Sequence, residues 1–199
     1  MTYGGEKRSA RECLARVQLA MEDIDGYRRE CAELISQFGQ TKDPKTADSL
    51  AWTCVLAPDA VADREAVVRL AEGAVEAAKS ESDRYLSLQS LGATTYRAGR
   101  FEEAVRHLGD GVKAQGEGGD VRDWLFLAMA HHHLNSPDEA RKWLDKAIEW
   151  LNSSTRDKPK DDTFGDRITW EAWLDLQVLR REAESLIRGS KAEAPPPKP

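Results

Sequence analysis

The sequence predicts an all-α fold of stacked antiparallel helix pairs, and three observations point to it. First, Leu34, Leu70, Leu108 and Leu144 recur at spacings of 36, 38 and 36 residues, a period that marks supersecondary units too small to bury a core alone. Second, another large apolar residue (Leu14, Leu50, Leu88 or Trp124) stands twenty residues before each of these leucines. Third, Gly99 and Asn135 hold the same place in successive units, and both types tolerate the left-handed conformation that closes a helix. Counted from three residues before the first anchor, the units begin near Arg11, Ala47, Tyr85 and Val121. Each is expected to be one helical hairpin, over about 11–46, 47–84, 85–120 and 121–151.

The elements follow in order. Residues 1–10 are expected to form a flexible N-terminus. In the first helix of each unit, Val17, Thr53, Leu91 and Leu127 lie three residues past the anchors, so that anchor and follower share a face. In the second helices, position twenty holds Ala66, Ala104 and Ala140 but Glu30 in the first unit, which is therefore degenerate. Phe38, Ala74, Val112 and Ile148 lie four residues past the recurrent leucines, on the same face. Pro58 should end a helix near Ala57, and Asp63 can cap the next. Ser136, Pro137, Asp138 and Glu139 read as a capping box with proline at the first helical position. Gly73 and Gly111 share one register inside two second helices, where glycine costs about 1 kcal/mol relative to alanine. Close approach of neighbouring backbones is the expected reason.

Residues 152–165, with the cluster DKPKDD, read as a polar loop. Ile168, Ala172, Leu176, Leu179, Ala183 and Leu186 then mark an amphipathic helix over 166–188, expected to cap the last unit with Trp170 and Trp173 as its anchors. The segment 189–199, ending APPPKP, is expected to be a disordered tail.

Composition narrows the function. With 199 residues, 40% of them apolar, the chain can bury a continuous core, and one elongated domain fits the repeats. The net charge of −6 without a basic run opposes nucleic-acid binding, which relies on clustered Lys and Arg. Cys13, Cys31 and Cys54 are odd in number and lack CxxC spacing, so neither a disulfide framework nor a zinc knuckle is expected. No apolar run reaches the roughly 20 residues that span a bilayer, and MTYGGEKRSA lacks the apolar core of a secretory signal. A cytoplasmic protein without membrane contact is the expectation.

The columns resemble the tetratricopeptide repeat. In the third unit the resemblance rests on Leu88, Leu91, Gly92, Ala104 and Leu108, with Gly111 in the last alanine slot. In the fourth it rests on Trp124, Leu127, Ala128, Ala140, Leu144 and Ala147. Thr95 and His131 depart from the family's bulky eleventh position, and no unit keeps its terminal proline. The stretches YRRECAEL, AWTCVLAPDAVAD, GATTYRAGRFEEAVRHL and DWLFLAMAHHHL, over about residues 27–150, also resemble the helical module at the C-terminal end of large bacterial proteins with serine/threonine kinase or WD-repeat parts. The resemblance implies a right-handed superhelix, an α-solenoid, that binds a peptide or protein, in a signalling setting. The alternative is a module for self-association or for docking on a kinase or other domain.

By the same resemblance the first helices line a concave groove, with Gln89, Tyr96, Arg97, Arg122, Leu125, Met129, His132 and His133 as candidate partner contacts. Acids at Glu12, Glu22, Asp23, Asp48 and Asp59 in the first two units face Arg97, Arg122 and the histidines in the last two. That gradient suits an extended peptide. The family's lysine and asparagine clamp is missing, since Ala51, Val55, Gln89, Ala93, Leu125 and Met129 stand in its places.

No catalytic residue, metal or cofactor is assigned. His131, His132 and His133 are consecutive, so on a helix they point about 100° apart and do not converge on one ion. In QGEGGD the acids repel phosphate, and no Lys-Ser or Lys-Thr follows. Around Asp23, Asp25 and Gly26 the glycine falls too early for a calcium loop. Cys54 occupies a small packing position rather than that of a nucleophile.

Overall fold

A computed structural model describes residues 3–116, 118–156 and 169–189. They form α1 (Tyr3–Ala20), α2 (Ile24–Phe38), α3 (Pro44–Val55), α4 (Arg64–Ala77), α5 (Glu81–Arg97), α6 (Phe101–Gln115), α7 (Val121–His133), α8 (Pro137–Arg156) and α9 (Trp170–Arg188), with no strand among the described residues. Successive helices pair as α1/α2, α3/α4, α5/α6 and α7/α8, and α9 follows the last pair.

Short polar residues start most of these helices by accepting an orphan backbone N–H. Asp23 caps α2, Asp43 with Pro44 opens α3, and Asp63 caps α4. Ser80 caps α5, and Thr169 caps α9. At α7 the capping box is reciprocal: Asp120 takes the incoming backbone bonds while Asp123 accepts from the Asp120 N–H. The α8 start lacks the box expected at Ser136, whose hydroxyl donates instead to Leu134 O at 3.5 Å. Gly99 (φ 81°) and Asn135 (φ 53°) turn the chain between the helices of the third and fourth pairs.

The leucine column is buried throughout, at Leu34, Leu70, Leu108 and Leu144. The anchor column is buried at Leu50, Leu88 and Trp124 but fails at Leu14, which is 44% exposed, with Val17 beside it at 38%. The α1 helix turns Glu12, Ala15 and Leu19 inward instead. Glu30, the misfit of the small column, accepts from Arg11 Nη1 at 2.6 Å. Tyr27 and Cys31 supply the apolar contacts of α2 beside Leu34.

Several expectations need correction. The chain is helical from Tyr3, so residues 3–10 are not a loose lead-in. The α8 helix continues to Arg156, into the segment read as loop, and α9 starts at Trp170. Residues 157–168, and 190–199 of the expected tail, lie outside the described residues. Gly73 is exposed, with no atom within 4 Å of where a Cβ would stand. Gly111 meets Leu88 Cβ at an ordinary 3.5 Å. The close approach lies at Gly92, where a Cβ would fall 2.5 Å from Leu108 Cγ.

Candidate functional site

The face shared by α1, α3, α5 and α7 is where the sequence places a partner, and α9 occupies it. Its centre is apolar: Leu176, Leu179 and Ala183 fall at i, i+3 and i+7, are buried, and join one core cluster with Leu125 and Met129 of α7. Around that seam the other first helices contribute polar side chains. Arg16 of α1 donates from Nε to Asp175 Oδ1 at 3.0 Å, and Trp52 of α3 donates from Nε1 to Asp175 Oδ2 at 2.8 Å. Arg97 of α5 pairs two nitrogens with the Glu182 carboxylate, with Nη2 at 2.6 Å from Oε2. Each of the four first helices thus holds α9 through a bonded side chain or a packed face. At the rim, Arg181 bonds Glu22 at 3.2 Å and Arg188 bonds Asp145 at 2.6 Å.

The receiving side chains are held by the repeats themselves. Arg97 also donates from Nε to Val55 O at 2.7 Å and lies over the Tyr96 and Phe126 rings. Burial pushes the Arg97 guanidinium down, but its bonds and attraction to Glu182 outweigh this and the net shift is upward. Trp52 meets Phe126 edge to face at 6.0 Å, and Arg122 sits 5.2 Å above the Trp52 ring. Asp175 is the converse of Arg97: burial raises its carboxyl pKa, and Arg16 and Trp52 offset that only in part.

A second polar cluster joins the third and fourth pairs. Gln89 Nε2 donates to Asp123 Oδ1 at 2.9 Å and to Asp120 Oδ1 at 3.0 Å, and the Tyr85 hydroxyl donates to Asp123 Oδ2 at 2.8 Å. Burial first, and the Asp120 charge second, push Asp123 up to about 6. Arg122 is tied to Asp120 at 2.6 Å.

The eight candidate contacts therefore divide. Arg97 reaches α9 directly, while Leu125 and Met129 are fully buried on α7, the helix against which α9 packs. Tyr96 is buried between Phe101 and Phe126, and Gln89 and Arg122 belong to the joint before α7. His133 stacks on Phe101 at 4.4 Å with His132 beside it, and His131 buries an Nδ1 without a hydrogen bond. On the side where an open groove for an extended peptide is expected, α9 bonds α1, α3 and α5 and packs on α7, and the acids Glu12 and Glu22 bond arginines of this chain. The expected anchor Trp170 is 42% exposed, so the polar pair Asp175 and Glu182 takes its place. Sequence reasoning passed over Arg16, Trp52, Asp175 and Glu182. A signal for the last two existed, since acids seven residues apart adjoin the apolar stripe of α9.

Among the described residues no three His, Cys, Asp or Glu side chains gather as metal ligands would, and no helix is long and apolar enough to cross a membrane. Cys54 is buried and its thiol is pushed upward, chiefly by a hydrogen bond with Cys31 and by burial. The model of the family described as Tetratricopeptide repeat matches residues 124–146, the stretch from Trp124 in α7 to Lys146 in α8. A search of curated proteins finds no match.

Proposed function

We propose that this chain is a non-catalytic protein-interaction scaffold whose four helix pairs form a right-handed superhelix, with the face of the first helices as its binding surface. One observation carries the reading: that face already grips a helix by an apolar seam flanked by fixed arginines, the arrangement by which grooves recognise amphipathic helices. The repeat match over residues 124–146 supports it, because arrays of this kind generally mediate protein association. A cytoplasmic, signalling role rests on the resemblance to kinase- and WD-repeat-linked modules alone.

A second reading is favoured by a separate observation. Leu14 and Val17 of α1 and Met21, in the turn just after it, form an exposed apolar stripe, with Met21 75% exposed, and such a stripe suits self-association or docking. Affinity capture with the full chain, beside one variant altered at Tyr96, Arg97, Arg122 and His132 and another carrying Leu14→Glu and Met21→Glu, separates the two. Loss of bound protein from the first variant with its helical circular dichroism retained supports the groove, loss together with that signal does not, and loss from the second alone supports the stripe.

A further inference from the structure

We infer that the face formed by α1, α3, α5 and α7 is a receptor for an acidic amphipathic helix of a partner protein, and that α9 is the resident stand-in for it. The inference deepens the proposed function and rests on it. The partner's chemistry is read from α9: a carboxylate, apolar residues one, four and eight positions after it, and a second carboxylate seven positions after the first, as in Asp175, Leu176, Leu179, Glu182 and Ala183. The first carboxylate is read by Arg16 and Trp52 and the second by Arg97. Seven residues span two helical turns, about 10.5 Å, so the two readers select a helix presenting both acids on one face.

Three features separate this surface from an ordinary core contact. The readers are positioned without α9, because Arg97 is fixed by Val55 O and two rings, and Trp52 by Phe126. The ion pairs are desolvated, with side chains 9% and 21% exposed for Arg97 and Glu182 and 11% and 5% for Arg16 and Asp175. Such pairs contribute register and selectivity more than net affinity, because desolvation offsets much of the attraction. A helix held this way is exchangeable for another with the same pattern. Finally, an apolar centre with charged pairs at its edge is the anatomy of a protein interface.

The test uses the full chain and a fluorescent peptide of residues 169–189. In a chain carrying Asp175→Lys and Glu182→Lys, the resident helix is weakened and the peptide should bind at least ~10-fold more tightly than to the unaltered chain, where the tethered α9 competes at high effective concentration. A peptide with Glu182→Lys should lose that binding, and a chain carrying Asp175→Lys, Glu182→Gln and Arg97→Glu, whose resident helix has no lysine to pair with the new glutamate, should restore it. If the lysine chain loses its helical circular dichroism, the milder Glu182→Gln chain takes its place. Absence of peptide binding to a helical weakened chain, or equal binding of both peptides, overturns the inference. If light scattering finds the weakened chain dimeric without peptide, the occupant is a second copy and the partner-helix assignment falls. The broader reading fails separately, if no form of the chain captures a protein.

Discussion

Gly92 and Gly73 show how differently one residue type acts in this chain. At Gly92 a methyl group would strike Leu108, held in a fully buried column, so Gly92→Ala should cost about 1–3 kcal/mol. Gly73 is an exposed helix-interior glycine with open space around it, so Gly73→Ala should stabilise by up to about 1 kcal/mol. Urea unfolding of both variants checks the contrast, and the reverse order would refute the close packing of α5 on α6. Gly111→Leu should destabilise far more than Gly111→Ala, since ordinary contact at 3.5 Å leaves room for one carbon only.

Asp123 gives the molecule a pH dependence at the same scale. Its carboxyl stands at about 6 in the fold against about 3.9 in an unfolded chain. The native state therefore binds this proton more tightly, and the stabilisation is complete below about pH 4 and lost as pH rises through 6. Burial raises Asp48 and Asp175 in the same direction, while the lowered Asp43 acts oppositely and at more acid pH. We expect stability to be greater at pH 5 than at pH 7, with Asp123 contributing roughly 1 kcal/mol of that difference. In Asp123→Asn that slope should flatten, and an unchanged slope would remove the assignment.

At the scale of elements, hydrophobic periodicity located the helix pairs because regular spacing of Leu34, Leu70, Leu108 and Leu144 can be satisfied only by equivalent packing, and all four are buried. The same logic failed at α1. Leu14 and Val17 have the right spacing, but Arg11 engages Glu30 and Arg16 engages Asp175, which fixes a face carrying Glu12, Ala15 and Leu19 inward. Long-range ion pairs leave no periodic trace, so the rotation was not legible. Leu14→Glu should therefore change unfolding stability by less than about 0.5 kcal/mol, as an exposed surface change does. A loss of several kcal/mol would mean that the α1 face is assigned wrongly.

Over the whole molecule, α9 converts a row of hairpins into a closed unit, because it bonds α1 and α3 through Asp175, α5 through Glu182 and packs on α7. The sequence announced a terminal amphipathic helix, and its apolar stripe needed a cover. Which surface received it depended on Arg16, Trp52 and Arg97, from units up to 159 residues away in sequence, and such pairings are settled only in three dimensions. Of the candidate contacts, Arg97 bonds α9, and Leu125 and Met129 are buried on α7, the helix against which α9 packs.

The most direct test is a double-mutant cycle on Arg97 and Glu182 read by equilibrium unfolding. With α9 seated on the first helices, Arg97→Glu and Glu182→Lys should each cost about 3–5 kcal/mol, as breaking a buried pair does, and the double variant should recover at least about 1.5 kcal/mol of their summed loss. Additive losses without recovery would contradict the seating of α9 on that face.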